Sequence, residues 1–138
     1  MPKKGKAKRP VDLPPKATLH NKNNRELDYP VFCFKHLQTH VSIKGCPDSL
    51  FTSFIKRIQK LSVLGWDEIN KSHRHSFGWE KISRDKIKPD LPAFVTRDVE
   101  SFYVFRYTGN NRPFLAMKTG NILHVLFIEA NFGDIYDH

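Results

Sequence analysis

Three groups of side chains in this sequence have the types and spacing that proton transfer or phosphate binding requires. The first is His73-Arg74-His75. Residues two apart on an extended chain point to the same side. The paired imidazoles therefore suit a phosphate, a metal ion or a proton relay near neutral pH. A third metal ligand would have to come from His124 or His138, and no carboxylate or second His-x-His stands at a recognisable spacing, so no metal centre is expected. The second is Arg106, which interrupts an apolar strand between Phe105 and Tyr107. A guanidinium there is costly unless it is paired or opens onto a cleft. Glu80 or Glu129 would make it structural, whereas an unpaired Arg106 in a cleft would bind phosphate. The third is the Tyr136-Asp137-His138 end, which Phe132 and Ile135 can dock onto the body.

Other candidates have simpler readings. His124 alternates with apolar residues on a strand, which fits a packed, hydrogen-bonded imidazole or one presented to a site on the sheet face. Arg112 stands beside a turn, solvated or in reach of RNA. Trp79 can stack a base; Phe77 and Tyr103 fit the core better. The sequence lacks a Walker loop, Gly-x-Gly-x-x-Gly, Gly-x-Ser-x-Gly and His-Glu-x-x-His, so nucleotide-driven and common hydrolase chemistries lose their usual support.

These residues need a scaffold, and 138 residues suffice for one domain with its own core. Apolar residues at 39% and 11 Phe exclude a disordered chain. No run of 18 apolar residues occurs, so no spanning helix and no membrane partner are expected. The formal charge of +9 is unevenly placed. Residues 1–25 carry eight bases, among them Lys3, Lys4, Lys6, Lys8 and Arg9, against Asp12, a local charge of +7. Residues 1–28 therefore read as a flexible basic arm with several prolines, suited to polyanions or to solubility. Residues 29–138 read as one domain. Cys33, inside an apolar run, reads as a small buried hydrophobe. With Cys46 it forms no Cys-x-x-Cys, and a reducing cytoplasm fits.

Within the domain, residues 31–37 follow Pro30 and predict a strand, which Val41 and Ile43 continue or follow as a second extended piece. Phe51, Phe54, Ile55, Ile58 and Leu61 recur at spacings of three and four, with Lys56, Arg57, Gln59 and Lys60 opposite. That pattern predicts an amphipathic helix stopped by Gly65, and residues 66–71 suit a second, short helix. Residues 83–97 predict a connecting loop with one helical turn. From Glu100 onward three or four β segments follow, the most apolar being 122–129. The expectation is an α+β two-layer sandwich: a strand, two helices and an antiparallel meander with one face left open to a ligand.

That order of elements resembles the RelE/YoeB/HigB group of bacterial toxins, small basic ribonucleases that cut messenger RNA. The resemblance covers residues 31–138 and includes the aromatic-Arg-aromatic segment Phe105-Arg106-Tyr107, the last strand 123–128 and the Tyr136-Asp137-His138 end. Asp134, Asp137, the long 83–97 connection and the basic arm depart from the family pattern. The resemblance implies metal-free, cofactor-free cleavage by general acid and base, with RNA, the ribosome and a small antitoxin protein as partners. It makes His73 or His75 a proton carrier, Arg106 the phosphate ligand, and Tyr136 or His138 the second proton carrier. Two other readings stay open: a non-catalytic RNA- or ribosome-binding module, and a protein-interaction domain using the open sheet face.

Overall fold

The computed structural model describes residues 28–42, 44–108 and 111–138. The basic arm, with Lys3, Lys4, Lys6, Lys8 and Arg9, lies outside the described residues except for Asp28. The chain is of mixed α+β class, with a five-stranded sheet and one main helix. Strands β1 (Val31–Cys33), β2 (Trp79–Ser83), β3 (Ser101–Arg106), β4 (Pro113–Thr119) and β5 (Ile122–Ile128) lie in the order β1-β5-β4-β3-β2. The last four form an antiparallel meander, and β1 pairs parallel to β5 with Val31 opposite Ile122. A parallel pair needs a long crossover, which the helix and the other strands supply. Among the described residues no helix is long and apolar enough to cross a membrane.

Helix counts differ from the expectation. A one-turn helix, α1 (Thr39–Ser42), stands where the sequence predicts an extended piece. Tertiary contacts override β-propensity there: Gln38 N–H donates to Leu126 O at 2.8 Å, and the Ser42 hydroxyl accepts from Ile128 N–H at 2.9 Å. The two helices expected at 51–64 and 66–71 are one element, α2 (Asp48–Lys71), interrupted at Gly65, where φ is 81° and ψ 170°. A Cβ at Gly65 would lie 2.8 Å from Asp28 O, the same carbonyl that accepts from Trp66 N–H. Only glycine fits that approach and that φ comfortably. The predicted stripe is also rotated slightly: Phe54 and Leu61 are buried, but Ile55 is 49% exposed.

Helix α2 packs Phe54, Leu61 and Ile69 onto Phe105, Tyr107, Phe114, Leu123, Val125 and Ile128. The second face is covered, not open. Phe102, Val104, Leu115, Leu126 and Phe127 lie beneath Ile87, Leu91, Phe94, Val95 and Val99 of the 83–100 connection and beneath Ile135 and Tyr136. Arg84, in a 3-10 turn (Arg84–Lys86), staples this cover by donating to Thr96 O at 2.7 Å and Val99 O at 2.9 Å. Cys33 is half-buried rather than fully enclosed. Strand β4, not the more apolar β5, is central.

Candidate functional site

Alternation along β3 sends Phe105 toward α2 and Phe102, Val104 and Arg106 to the other face. Arg106 is 5% exposed. Its Nη2 donates to Glu80 Oε2 at 2.5 Å, from the neighbouring strand β2. Of the two options open for Arg106, the structure therefore pairs it with Glu80, yet its Nε and Nη1 are buried without a hydrogen-bond partner among the described residues. Glu80 Oε1 accepts from Arg74 Nη1 at 3.3 Å, and Arg74 Nε donates to His75 Nε2 at 3.2 Å. A polar chain thus runs from Arg106 in the sheet to the imidazole-bearing loop.

That loop is tightly closed. His73 O accepts from Ser76 N–H and Gly78 N–H at 2.9 Å, and the Ser72 hydroxyl accepts from Phe77 N–H. A Cβ at Gly78 would meet Ser72 O at 2.3 Å. His73 and His75 are exposed, with ring centroids 5.3 Å apart. Arg57 locks the loop to the strand. Its Nη1 donates to Ser76 O and to Arg106 O, both at 2.7 Å, and its guanidinium lies 4.6 Å over the Phe77 ring. Burial pulls the Arg57 pKa below its ordinary value.

The C-terminal segment closes the other side. Tyr136 is buried, and its hydroxyl also lacks a partner among the described residues. Burial, above all, raises the Tyr136 pKa; Arg106 opposes the rise, and Glu80 and Glu129 add to it. The hydroxyl therefore keeps its proton. Glu80, Val104 and Tyr136 line part of a cavity of about 240 Å³ beside this cluster. Glu129, fully buried, holds the segment in place. Its Oε2 accepts from Ile135 N–H at 2.9 Å, its Oε1 lies 2.7 Å from His138 Nε2, and its carbonyl accepts from the Tyr107 hydroxyl. Burial pushes the Tyr107 hydroxyl pKa well up. The His138 ring packs on Tyr136, with centroids 4.5 Å apart.

The remaining candidates lie elsewhere. His124 is close to Thr119 Oγ1, at 2.7 Å, and packs near Phe94; burial, then His36, lowers its pKa. Arg112 is tied down rather than solvated: Nε donates to Ala130 O at 2.7 Å, and the guanidinium lies over Phe132. Trp79 faces the helix side of the sheet, 4.5 Å from Tyr103 between ring centroids. Among the described residues no group of three or more His, Cys, Asp or Glu is placed to hold a metal ion. Two residues of the cluster carry little sequence signal of their own: Arg74, marked only by its place between two singled-out histidines, and Arg57, whose helical spacing puts it on the solvent side of the helix. No family model, curated protein or solved structure matches this chain.

Proposed function

We propose that this chain is a ribonuclease resembling the RelE/YoeB/HigB toxins, cleaving messenger RNA by general acid and base chemistry. The observation that carries this reading is the cluster of unmatched donors: Arg106 Nε and Nη1 and the Tyr136 hydroxyl, all buried, all without a partner among the described residues. Leaving such donors unsatisfied costs roughly 1–3 kcal/mol each. An anion with several acceptor oxygens relieves that cost, and a phosphodiester is such an anion.

In this reading a non-bridging phosphate oxygen accepts from Arg106, while Arg74, which is 56% exposed at its side chain, meets the incoming backbone. An imidazole of the His73/His75 loop takes the ribose 2′-OH proton. The 2′-oxygen attacks phosphorus, the P–O5′ bond breaks, and the 5′-oxygen leaves with a proton drawn from the Tyr136 hydroxyl. The products are a 2′,3′-cyclic phosphate and a 5′-hydroxyl, and no cofactor enters the balance. His138 is a positioning residue here, since it is engaged with Glu129 and braces Tyr136. The partners implied are RNA, the ribosome and a small antitoxin, in a cytoplasmic setting. Incubating the purified chain with messenger RNA and mapping the new ends tests the reading. Cyclic-phosphate ends made by the parent and lost in Arg106→Ala support it; an intact transcript under all conditions overturns it.

A further inference from the structure

The two tryptophans of the chain line one cavity on the helix side of the sheet, away from Arg106. Gly65 breaks the helical path just before Trp66, whose Nε1 donates to Asn121 Oδ1 at 3.0 Å. Trp79 Nε1 donates to Asn70 Oδ1 at 2.9 Å, and its ring leans on Tyr103. Both indoles are thus held in fixed orientations while remaining partly exposed. With Tyr103 they wall a cavity of about 340 Å³, whose rim carries Asp28, Asp67 and Lys118. Lys118 Nζ lies 5.3 Å from the centroid of the Trp66 ring. That volume falls at the small end of ligand pockets, roughly 300–1,000 Å³.

The rim chemistry narrows the occupant. Both amide oxygens are already engaged by the indoles, so the lining offers carboxylates, which accept, and the Lys118 ammonium and the Asn70 amide N–H₂, which donate. A guanine edge matches this set. Its N1–H and N2–H₂ donate side by side to one carboxylate, and its O6 accepts from an ammonium. Adenine and cytosine each turn a ring-nitrogen lone pair toward the carboxylate, and uracil offers one N–H between two carbonyls. Aromatic walls stack any base, so the rim sets the choice.

We infer that this cavity binds a guanine base walled by Trp66 and Trp79, with Asp67 accepting from its N1–H and N2–H₂ and Lys118, drawn off the Trp66 ring, donating to its O6. The inference deepens the RNA reading by naming a base subsite, and it stands or falls without cleavage. Both tryptophans are in the wall, so intrinsic fluorescence reports occupancy directly. Full-length chain is titrated with guanosine, adenosine, cytidine and uridine 5′-monophosphates and with a single-stranded oligonucleotide containing one guanosine. Guanosine monophosphate should quench at least tenfold more tightly than the other three, and Asp67→Asn should remove about tenfold to a hundredfold of that affinity while the melting temperature holds. Lys118→Gln provides a second, surface variant with a smaller loss in the same direction. An oligonucleotide binding more tightly than the mononucleotide marks RNA as the source, and equal binding marks the free nucleotide; either supports a guanine site. Equal quenching by all four nucleotides, no quenching at all, or an unchanged preference in Asp67→Asn overturns it. A chain that binds guanine but cuts no RNA keeps this inference and sinks the ribonuclease reading.

Discussion

At the scale of single residues, the decisive feature is a guanidinium in a strand that is otherwise apolar. Arg106 stood out in the sequence because its burial had to be compensated, and Glu80 provides part of that compensation. The link from Arg106 to the histidine loop was less legible, because Arg74 and Arg57 act through geometry that no spacing reveals. Arg57 has the periodicity of a solvated helix residue, yet its long side chain reaches around the helix to two carbonyls. Another residue-scale consequence concerns pH. His124 has its pKa lowered from 6.5 by burial and by His36. Below that value the unfolded chain binds a proton more readily than the folded one. Stability is therefore complete above about pH 6.5 and declines as pH falls through the lowered folded value. The melting temperature of His124→Gln should fall less than that of the parent between about pH 7 and 5; parallel curves would show that another group governs acid sensitivity.

At the scale of elements, α2 and its break at Gly65 position residues of both proposed sites. The helix anchors Arg57 for one site and Trp66 for the other. Phe54 is 1% exposed and packs edge-on against Tyr107 and Phe114. Phe54→Ala should cost about 3–5 kcal/mol, read from urea unfolding; a loss under 1 kcal/mol would mean a core that collapses around the gap. Gly65→Ala combines a φ/ψ region that is essentially glycine's alone, worth about 1–3 kcal/mol for a residue with a Cβ, with the 2.8 Å approach of Asp28 O. It should lower stability and shift the tryptophan emission, since Trp66 must move with its turn. Unchanged emission together with unchanged stability would show that the Asp28 segment simply yields. The glycine was readable as punctuation in the sequence. That it interrupts one helix rather than separating two was not, because the decision lies in the contact with Asp28.

At the scale of the whole molecule, the sheet has two covered faces, and the sequence showed only one. Helical periodicity marks α2 clearly, whereas Ile87, Leu91, Phe94, Val95 and Val99 also recur at spacings of three and four but have Pro89 and Pro92 among them, which forbid a continuous helix. They cover the sheet as an irregular segment stapled by Arg84, which is why an open face was expected there. Covering that face is also what desolvates Arg106 and Tyr136. Charge acts at this scale as well. Most of the +9 lies in residues 1–25, so removing them should reduce RNA affinity and flatten its dependence on salt, as fewer counterions are released. A salt slope unchanged by the deletion would assign RNA contacts to residues 26–138 instead.

The central claim is that Arg106 and Tyr136 complete their hydrogen bonding on a scissile phosphate. Single-turnover cleavage of a short RNA, with enzyme in excess, measures it most directly. Tyr136→Phe deletes one hydroxyl and leaves the buried ring in place. The account predicts a rate about 10²–10³ lower than the parent, with RNA affinity and melting temperature retained. A Tyr136→Phe chain that cuts as fast as the parent would contradict it.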